Sequence, residues 1–255
     1  MSKQGRAIPR TDAVDAANSV IGGHLSRLQQ CLRDLPADRV AAMAERIWDA
    51  ARAGGQIITA GNGGSAATAS HMALDLGKST LGRNSHPSAL RVRTFALNDP
   101  VPVITAWAND HGYDRVFAEQ IRTLAGPGDA AVFFSVSGNS RNVVAAARAA
   151  HAVGATVIGV LGRPGGAMRH LADLAIIVPS EDYQIVEDVH LAISHIVTRY
   201  VMQMMETTTA GGGRSRKRQS QNRQPAGANR RPTGLPASVR ASNSSRRAAQ
   251  RTSRS

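Results

Sequence analysis

The chain has 255 residues, enough for one large α/β domain or two small ones, and 42% of them are hydrophobic but only 4% aromatic, so its core must be mainly aliphatic. Twelve of its 31 lysines and arginines lie in residues 211–255, which contain no acidic residue. This tail therefore carries twelve of the thirteen net positive charges, and the rest of the chain is nearly neutral. A single cysteine excludes an intrachain disulfide and no apolar run reaches the ~18 residues of a membrane span, so we expect a soluble cytoplasmic protein.

Two helices are predicted before any strand. Residues 12–33 repeat apolar side chains at helical spacing. Residues 36–53 do the same, with a proline suited to the first turn and two glycines, Gly54 and Gly55, after the last turn. Residues 1–11 show no such pattern and are predicted to form a flexible N-terminus.

From residue 56 the period of the apolar pattern changes. Strands are predicted at 56–60, 90–97, 130–136, 155–161 and 174–179. Helices are predicted between and after them, at 65–77, 101–108, 114–125, 140–153 and 183–206. Because strands alternate with helices and the strand segments are almost continuously apolar, we predict an α/β fold with a parallel sheet covered on both faces.

The composition changes again after about residue 206. Residues 207–255 are rich in Gly, Pro, Ser and Arg and nearly lack large apolar side chains, so they cannot bury enough surface to offset their ordering entropy. We predict one domain over 12–206 and a disordered basic tail over 207–255. The tail is interpreted as a solvated extension, with at most weak contacts to nucleic acid or another anionic surface.

Two loops rich in glycine and serine each follow a predicted strand and precede a predicted helix. The first is GNGGS at 61–65, and the second is SVSGNS at 135–140. Such loops lie at the carboxyl edge of a parallel sheet, where helix N-termini offer free N–H groups to an anion. Neither contains the Walker or the dinucleotide motif, which favours a monoester phosphate. The alternative is an ordinary turn and an ordinary helix cap.

Histidines and carboxylates recur on two of the predicted helices. His71 and Asp75 are four residues apart, so both project from one helix face. Glu187 and His195 lie about two turns apart on the last helix. These four could bind a borderline metal such as zinc, or could supply a carboxylate base and an imidazole acid. The alternative is a core histidine and a helix-stabilising ion pair, and spacing alone does not decide.

Four segments in this order resemble phosphoheptose isomerases of the sugar isomerase (SIS) superfamily. They are GNGGSAATASHMALDLGK, ANDHGYDRVFAEQ, SVSGNSRNV and EDVHLAISH, and the resemblance covers about residues 12–206. It implies a five-stranded parallel sheet flanked by helices, with the two leading helices as part of the fold. It also implies a homotetramer with active sites at subunit interfaces, one zinc ion per subunit, and conversion of sedoheptulose 7-phosphate to a heptose 7-phosphate through an enediol.

The resemblance further implies a role for individual residues. The phosphate would be bound by Ser65, Ser135, Ser137 and Ser140, with Val136 contributing mainly its backbone. The sugar site would be lined by Asn62, Gly63, Gly64, Asn109 and Asp110. The metal ligands would be His71, Asp75, Glu187 and His195, of which Asp75 or Glu187 would be the base and His195 the acid.

Two of these positions depart from the family's residues. The family glutamate is here Asp75, one methylene shorter, and the family glutamine is here Glu187, which adds a negative charge. A base displaced by ~1 Å can lose about 100-fold in rate, so which of the two is the base stays open. The departures also leave open a non-catalytic protein that binds sugar phosphates, or an adaptor of the replication initiator DnaA, as some related SIS proteins are.

Overall fold

The computed structural model describes the backbone of residues 10–81 and 90–221, and the side chains of 12–81 and 90–208. Residues 1–9 and 222–255, which make up most of the predicted flexible N-terminus and disordered tail, lie outside this description. Contacts divide the chain into two units, Met1–Arg214 and Ser215–Ser255, and the fold given below is that of the first. In the part of the chain that the structure describes, no helix has both the length and the apolarity to cross a membrane.

The described residues form five strands and eight α-helices. The strands are β1 (Gln56–Ala60), β2 (Arg93–Ala96), β3 (Ala130–Ser135), β4 (Thr156–Gly162) and β5 (Leu174–Val178). The helices are α1 (Arg10–Arg33), α2 (Ala37–Arg52), α3 (Gly64–Lys78), α4 (Val101–His111), α5 (Ala118–Leu124), α6 (Arg141–Ala152), α7 (Met168–Leu171) and α8 (Tyr183–Gln221). The short α7 was not predicted, and α8 continues beyond residue 206, where the sequence predicts the domain to end.

The five strands form one parallel sheet in the order β2-β1-β3-β4-β5, which confirms the predicted α/β fold. The chain first places β2 on one side of β1 and then returns to place β3 on the other side. β1 and β3 therefore flank the point where the strand order reverses. In open parallel sheets, the crevice beyond the carboxyl ends of two such strands is where ligands bind.

β3 shows why the strand segments are almost continuously apolar. All six of its residues are buried, because helices cover both faces of the sheet. Ala130, Val132 and Phe134 belong to the core that α2, α3 and α8 complete. Ala131 and Phe133 belong to the core that α5 and α6 complete. The side chains thus alternate between two cores, and both cores need apolar residues.

His190 of α8 is a polar exception inside the first of these cores. Its side chain is fully buried, and its ring lies 5.7 Å from that of Phe134, measured between centroids. Burial lowers the pKa of His190 to about 4, against a smaller opposing effect of the Leu161 backbone. His190 is therefore an uncharged core residue at neutral pH. This is the core histidine that the sequence analysis gave as the alternative to a metal-binding or catalytic one.

We expect this burial to make the stability depend on pH. The unfolded chain binds a proton at His190 near pH ~6.5, whereas the folded protein does so only near pH 4. Because the unfolded state binds more protons in between, the free energy of unfolding falls as the pH falls through this window, by about 2 kcal/mol between pH 7.5 and pH 5. Urea denaturation of a His190→Leu variant should lack this part of the pH dependence. The exposed His170→Leu control should keep it, and equal pH dependence in both variants would contradict the assignment.

Candidate functional site

Both serine loops line one small cavity beyond the carboxyl ends of β1 and β3. Its volume is about 130 Å³. Since a water molecule takes roughly 30 Å³ in the liquid, the cavity suits a group of phosphate size. It is lined by Asn62, Ser65, Phe134, Ser135, Val136, Ser137, Ser140 and Tyr183. The structure thus brings together the serines predicted to bind phosphate, and adds Tyr183, which the sequence did not indicate.

The second loop positions its own hydroxyl groups. The Oγ of Ser135 accepts a hydrogen bond from the N–H of Gly138 at 3.0 Å, and the Oγ of Ser137 accepts one from the N–H of Asn139 at 3.2 Å. A hydroxyl that accepts in this way keeps its own proton for donation to an anion. Ser140 is the N-cap residue of α6, yet its side chain makes no capping hydrogen bond, so this hydroxyl also remains available for a ligand.

The first loop leads into a helix whose N-terminus has no side-chain cap. Gly63 occupies the N-cap of α3 with φ +56°, a conformation that favours glycine, and it has no side chain to bond the first turn. Ser65 follows in that turn and is buried against the cavity. The first turns of α3 and α6 therefore both offer unpaired N–H groups and partial positive charge to a bound anion.

Two reciprocal hydrogen bonds join the loops. Asn62 Nδ2 donates to Asn142 Oδ1 at 2.9 Å, and Asn142 Nδ2 donates to Asn62 Oδ1 at 2.8 Å. The Tyr113 hydroxyl also donates to Asn62 Oδ1, and the N–H of Val143 donates to Asn142 Oδ1. Asn142 is buried and was missed in the sequence, where its only signal is an amide just after the second loop. It holds the two halves of the cavity at one spacing.

His71, Asp75 and His195 form a second group, as the sequence predicts for these three. The Nε2 atoms of His71 and His195 are 3.0 Å apart, and Asp75 Oδ2 is 3.3 Å from the first and 3.8 Å from the second. The Ser79 hydroxyl donates to the other carboxylate oxygen of Asp75 at 3.1 Å and orients it. Two imidazole nitrogens and a carboxylate oxygen within 4.8 Å of one another are a donor set that suits zinc.

Glu187, the predicted fourth ligand, is not brought into this group. Its carboxylate lies where a Cβ on Gly64 would be, so in this position the Glu187 side chain contacts the first turn of α3 directly. Among the described residues, its buried Oε1 has no hydrogen-bond partner, which leaves it free to accept from a ligand hydroxyl. The negative charge of Glu187 also raises the pKa of the neighbouring Tyr183.

The packing of α3 beside α8 sets the distance between the cavity and the His–Asp–His group. Glu187 of α8 meets Gly64 at the start of α3, and His195 of α8 meets His71 further along. Glu187 and His195 are eight residues apart on α8, and the residues they meet, Gly64 and His71, are seven apart on α3. Both pairs follow the same order along the chain, so the two helices run in the same direction. At ~1.5 Å per residue, the group lies on the order of 10 Å from the start of α3. An extended ligand anchored in the cavity can therefore reach it.

Asn109 and Asp110 lie on the exposed end of α4, where Asn109 Nδ2 donates to Asp110 Oδ1 at 2.8 Å. No hydrogen bond among the described residues joins either of them to the serine loops. The contact from this part of the chain to the cavity comes instead from Tyr113, through Asn62. The contribution of Asn109 and Asp110 to a sugar site stays a prediction.

Comparison with known sequences identifies several relatives. The SIS domain family matches residues 23–162. The phosphoheptose isomerase of Trichlorobacter lovleyi is 38% identical over 192 residues, which cover 75% of this chain and 94% of that protein. The phosphoheptose isomerase of Solidesulfovibrio magneticus is 42% identical over 166 residues, which cover 65% of this chain and 78% of that protein.

Solved structures with the same fold include two of these enzymes. The phosphoheptose isomerase of Francisella tularensis superimposes with a TM-score of 0.67 at 26% identity, over 75% of this chain and 98% of that one. The phosphoheptose isomerase of Neisseria gonorrhoeae gives a TM-score of 0.66 at 28% identity, over 74% and 98%. The similarity thus extends over nearly the whole length of both enzymes.

The amide pair between the loops generates a testable prediction. Asn142→Ala removes both bonds to Asn62 and the bond to the N–H of Val143, so we expect the free energy of unfolding to fall by about 2 kcal/mol. We also expect weaker binding of inorganic phosphate, because the loops lose their fixed spacing. Urea denaturation and phosphate titration measure the two effects. Asn109→Ala is the control and should stay within ~0.5 kcal/mol of wild type; equal stability of the two variants would refute the structural role.

Proposed function

The chain belongs to the phosphoheptose isomerase family of SIS-domain proteins and is a sugar-phosphate isomerase; from its site we propose that it converts sedoheptulose 7-phosphate to a D-glycero-D-manno-heptose 7-phosphate. One observation carries the proposal: a phosphate-sized cavity lies at the start of α3, and a carboxylate with two imidazoles lies further along the same helix. Isomerisation needs this separation, because the phosphate is bound away from the carbons that react. The carboxylate and imidazoles favour catalysis over a non-catalytic or adaptor role.

We propose that the serine loops bind the phosphate. Ser65, Ser135, Ser137 and Ser140 would donate their hydroxyl protons, and the first turns of α3 and α6 would add backbone N–H groups. With the phosphate there, an extended seven-carbon chain runs along α3 toward His71. The hydroxyl groups nearest the phosphate end of the chain then pass Glu187, whose unpaired Oε1 would accept from one of them.

We assign the proton transfer between carbons to Asp75 and not to Glu187, because Asp75 lies at the carbonyl end of a substrate held in this way. Asp75 would take a proton from C1 of the ketose, which gives the enediol, and would return a proton to C2. The bond from the Ser79 hydroxyl leaves Asp75 Oδ2 as the oxygen that faces the two imidazoles. Asp75 is one methylene shorter than the family glutamate, but it can still reach C1 if the substrate lies against α3.

His71, Asp75 and His195 would hold a zinc ion, which when bound would polarise the substrate carbonyl. The Nε2 atom of His195 binds either a proton or a metal, but not both. His195 can therefore move the proton between O1 and O2 of the substrate only in a subunit where this atom is free of metal. The dependence of turnover on zinc content decides between these two roles.

The choice of base can be tested by kinetics with sedoheptulose 7-phosphate. Asp75→Asn should lower kcat by about 100-fold or more, because it removes the base. Glu187→Gln should lower kcat by less than about tenfold and mainly raise KM, because it changes a contact to a hydroxyl. In D2O the product should carry solvent deuterium at C2. The reverse order of the two kcat losses would assign the base to Glu187.

Zinc binding can be tested without measuring activity. Metal analysis of the purified protein and titration with zinc should give about one ion per subunit for wild type. His71→Ala and His195→Ala should each lower the affinity by at least tenfold. His151→Ala is a matched control, because His151 also lies near a carboxylate, Asp173, but far from this group in the chain. Equal zinc affinity in all three variants would place the metal elsewhere.

We also propose the homotetramer with active sites between subunits. Apolar side chains of α1 that a monomer leaves exposed support it; they include Val14, Ile21, Leu25 and Leu32, each more than 40% exposed. The molar mass from light scattering decides the assembly. The cytoplasmic location and the weak contact of the basic tail with nucleic acid stay predictions from the sequence.

A further inference from the structure

A second cavity, of about 440 Å³, is lined by three arginines that come from separate parts of the fold. Arg39 lies in the first turn of α2, Arg163 directly after β4, and Arg169 in α7. Ala175 and Ile177 of β5 contribute an apolar part of the lining. These residues will be called the arginine pocket. It shares no lining residue with the serine-loop cavity.

The three guanidinium groups have no carboxylate partner among the described residues. Four other arginines do pair with carboxylates: Arg27, Arg52, Arg115 and Arg122. The only acidic residue that lines the arginine pocket, Asp34, accepts a hydrogen bond from Gln30 Nε2 at 2.7 Å instead. Three positive charges and the single carboxylate of Asp34 surround this concavity, so its lining is net positive and attracts an anion, in a domain that is otherwise nearly neutral.

The backbone that carries two of these arginines is held in place. The N–H of Arg163 donates to the carbonyl oxygen of Ser180 at 3.0 Å, and the N–H of Arg169 donates to that of Gly165 at 3.0 Å. Between them, the N–H of Met168 donates to the carbonyl oxygen of Gly138 in the second serine loop, also at 3.0 Å. The backbone after β4 is thus held in place, so binding of a ligand has to order the two exposed arginine side chains but not the backbone that carries them.

We propose that the arginine pocket is a second anion site, which binds a small organic phosphate with at least two phosphate groups. Arginine binds phosphate oxygens through two parallel N–H donors, so three arginines match the oxygens of a diphosphate better than those of one phosphate. The cavity is more than three times as large as the serine-loop cavity, and its apolar part suits the carbon-bearing portion of such a ligand. This site does not depend on the proposed isomerase activity.

Calorimetric titration of the full-length protein with inorganic pyrophosphate tests the proposal. Arg39→Gln, Arg163→Gln and Arg169→Gln should each weaken binding at one class of site by about tenfold, the loss of one charge-assisted contact. Arg148→Gln is the matched control, because Arg148 is an exposed arginine of α6 outside the pocket. It should bind as wild type does.

Pyrophosphate could also enter the serine loops or associate with the basic tail, so a further variant separates these sources. Ser137→Ala should leave binding at the arginine pocket unchanged. If Ser137→Ala removes all binding, the anion is held by the serine loops and the proposal is wrong. If the three pocket variants bind as tightly as Arg148→Gln, the arginines do not contribute and the proposal is equally wrong. Circular dichroism at matched concentrations checks that each variant is folded.

Discussion

β1 pairs with β3 although β2 lies between them in the sequence, and the position of the site follows from this pairing. The carboxyl ends of two neighbouring parallel strands meet at one edge of the sheet, so the loops that follow them must converge. Each loop also begins a helix, and the N-termini of α3 and α6 therefore point at the same cavity. The reciprocal bonds between Asn62 and Asn142 then set the width of that cavity.

A single helix, α3, carries Ser65, which lines the serine-loop cavity, and also His71 and Asp75, and α8 contributes residues beside both places. The absence of a side chain at Gly64 leaves room for the Glu187 carboxylate beside the start of α3. That carboxylate lies beside the first turn of α3, where the partial positive charge of the helix favours a negative group. The helix N-terminus therefore favours the extra charge of Glu187, which is not part of the group formed by His71, Asp75 and His195.

The two cavities differ in the groups that they would offer to an anion. In the serine-loop cavity the donors are neutral hydroxyl and backbone N–H groups, and none of the described residues that line it is cationic. In the arginine pocket the donors are three full positive charges on long side chains. Binding to the first depends on fixed geometry, whereas binding to the second depends on charge and is weakened by salt. Gly138 of the second serine loop links the two cavities, because its carbonyl oxygen accepts a hydrogen bond from the N–H of Met168, which lies between Arg163 and Arg169 of the arginine pocket.

The sequence by itself determined the five strands and all the helices except the short α7, the position of the two serine loops after strands, and the placement of His71 and Asp75 on one helix face. These features depend on spacing within a few residues, and the periods of strands and helices make such spacing readable. Only the tertiary structure decided that Glu187 lies against Gly64, that Asn142 joins the loops and that three arginines share a pocket. Each of these contacts joins residues far apart in the chain, and their distances are set by how α3, α8 and the segment after β4 pack on the sheet. The helical and strand periods of the sequence do not predict this packing, because it results from the fit of many side chains in two cores at once.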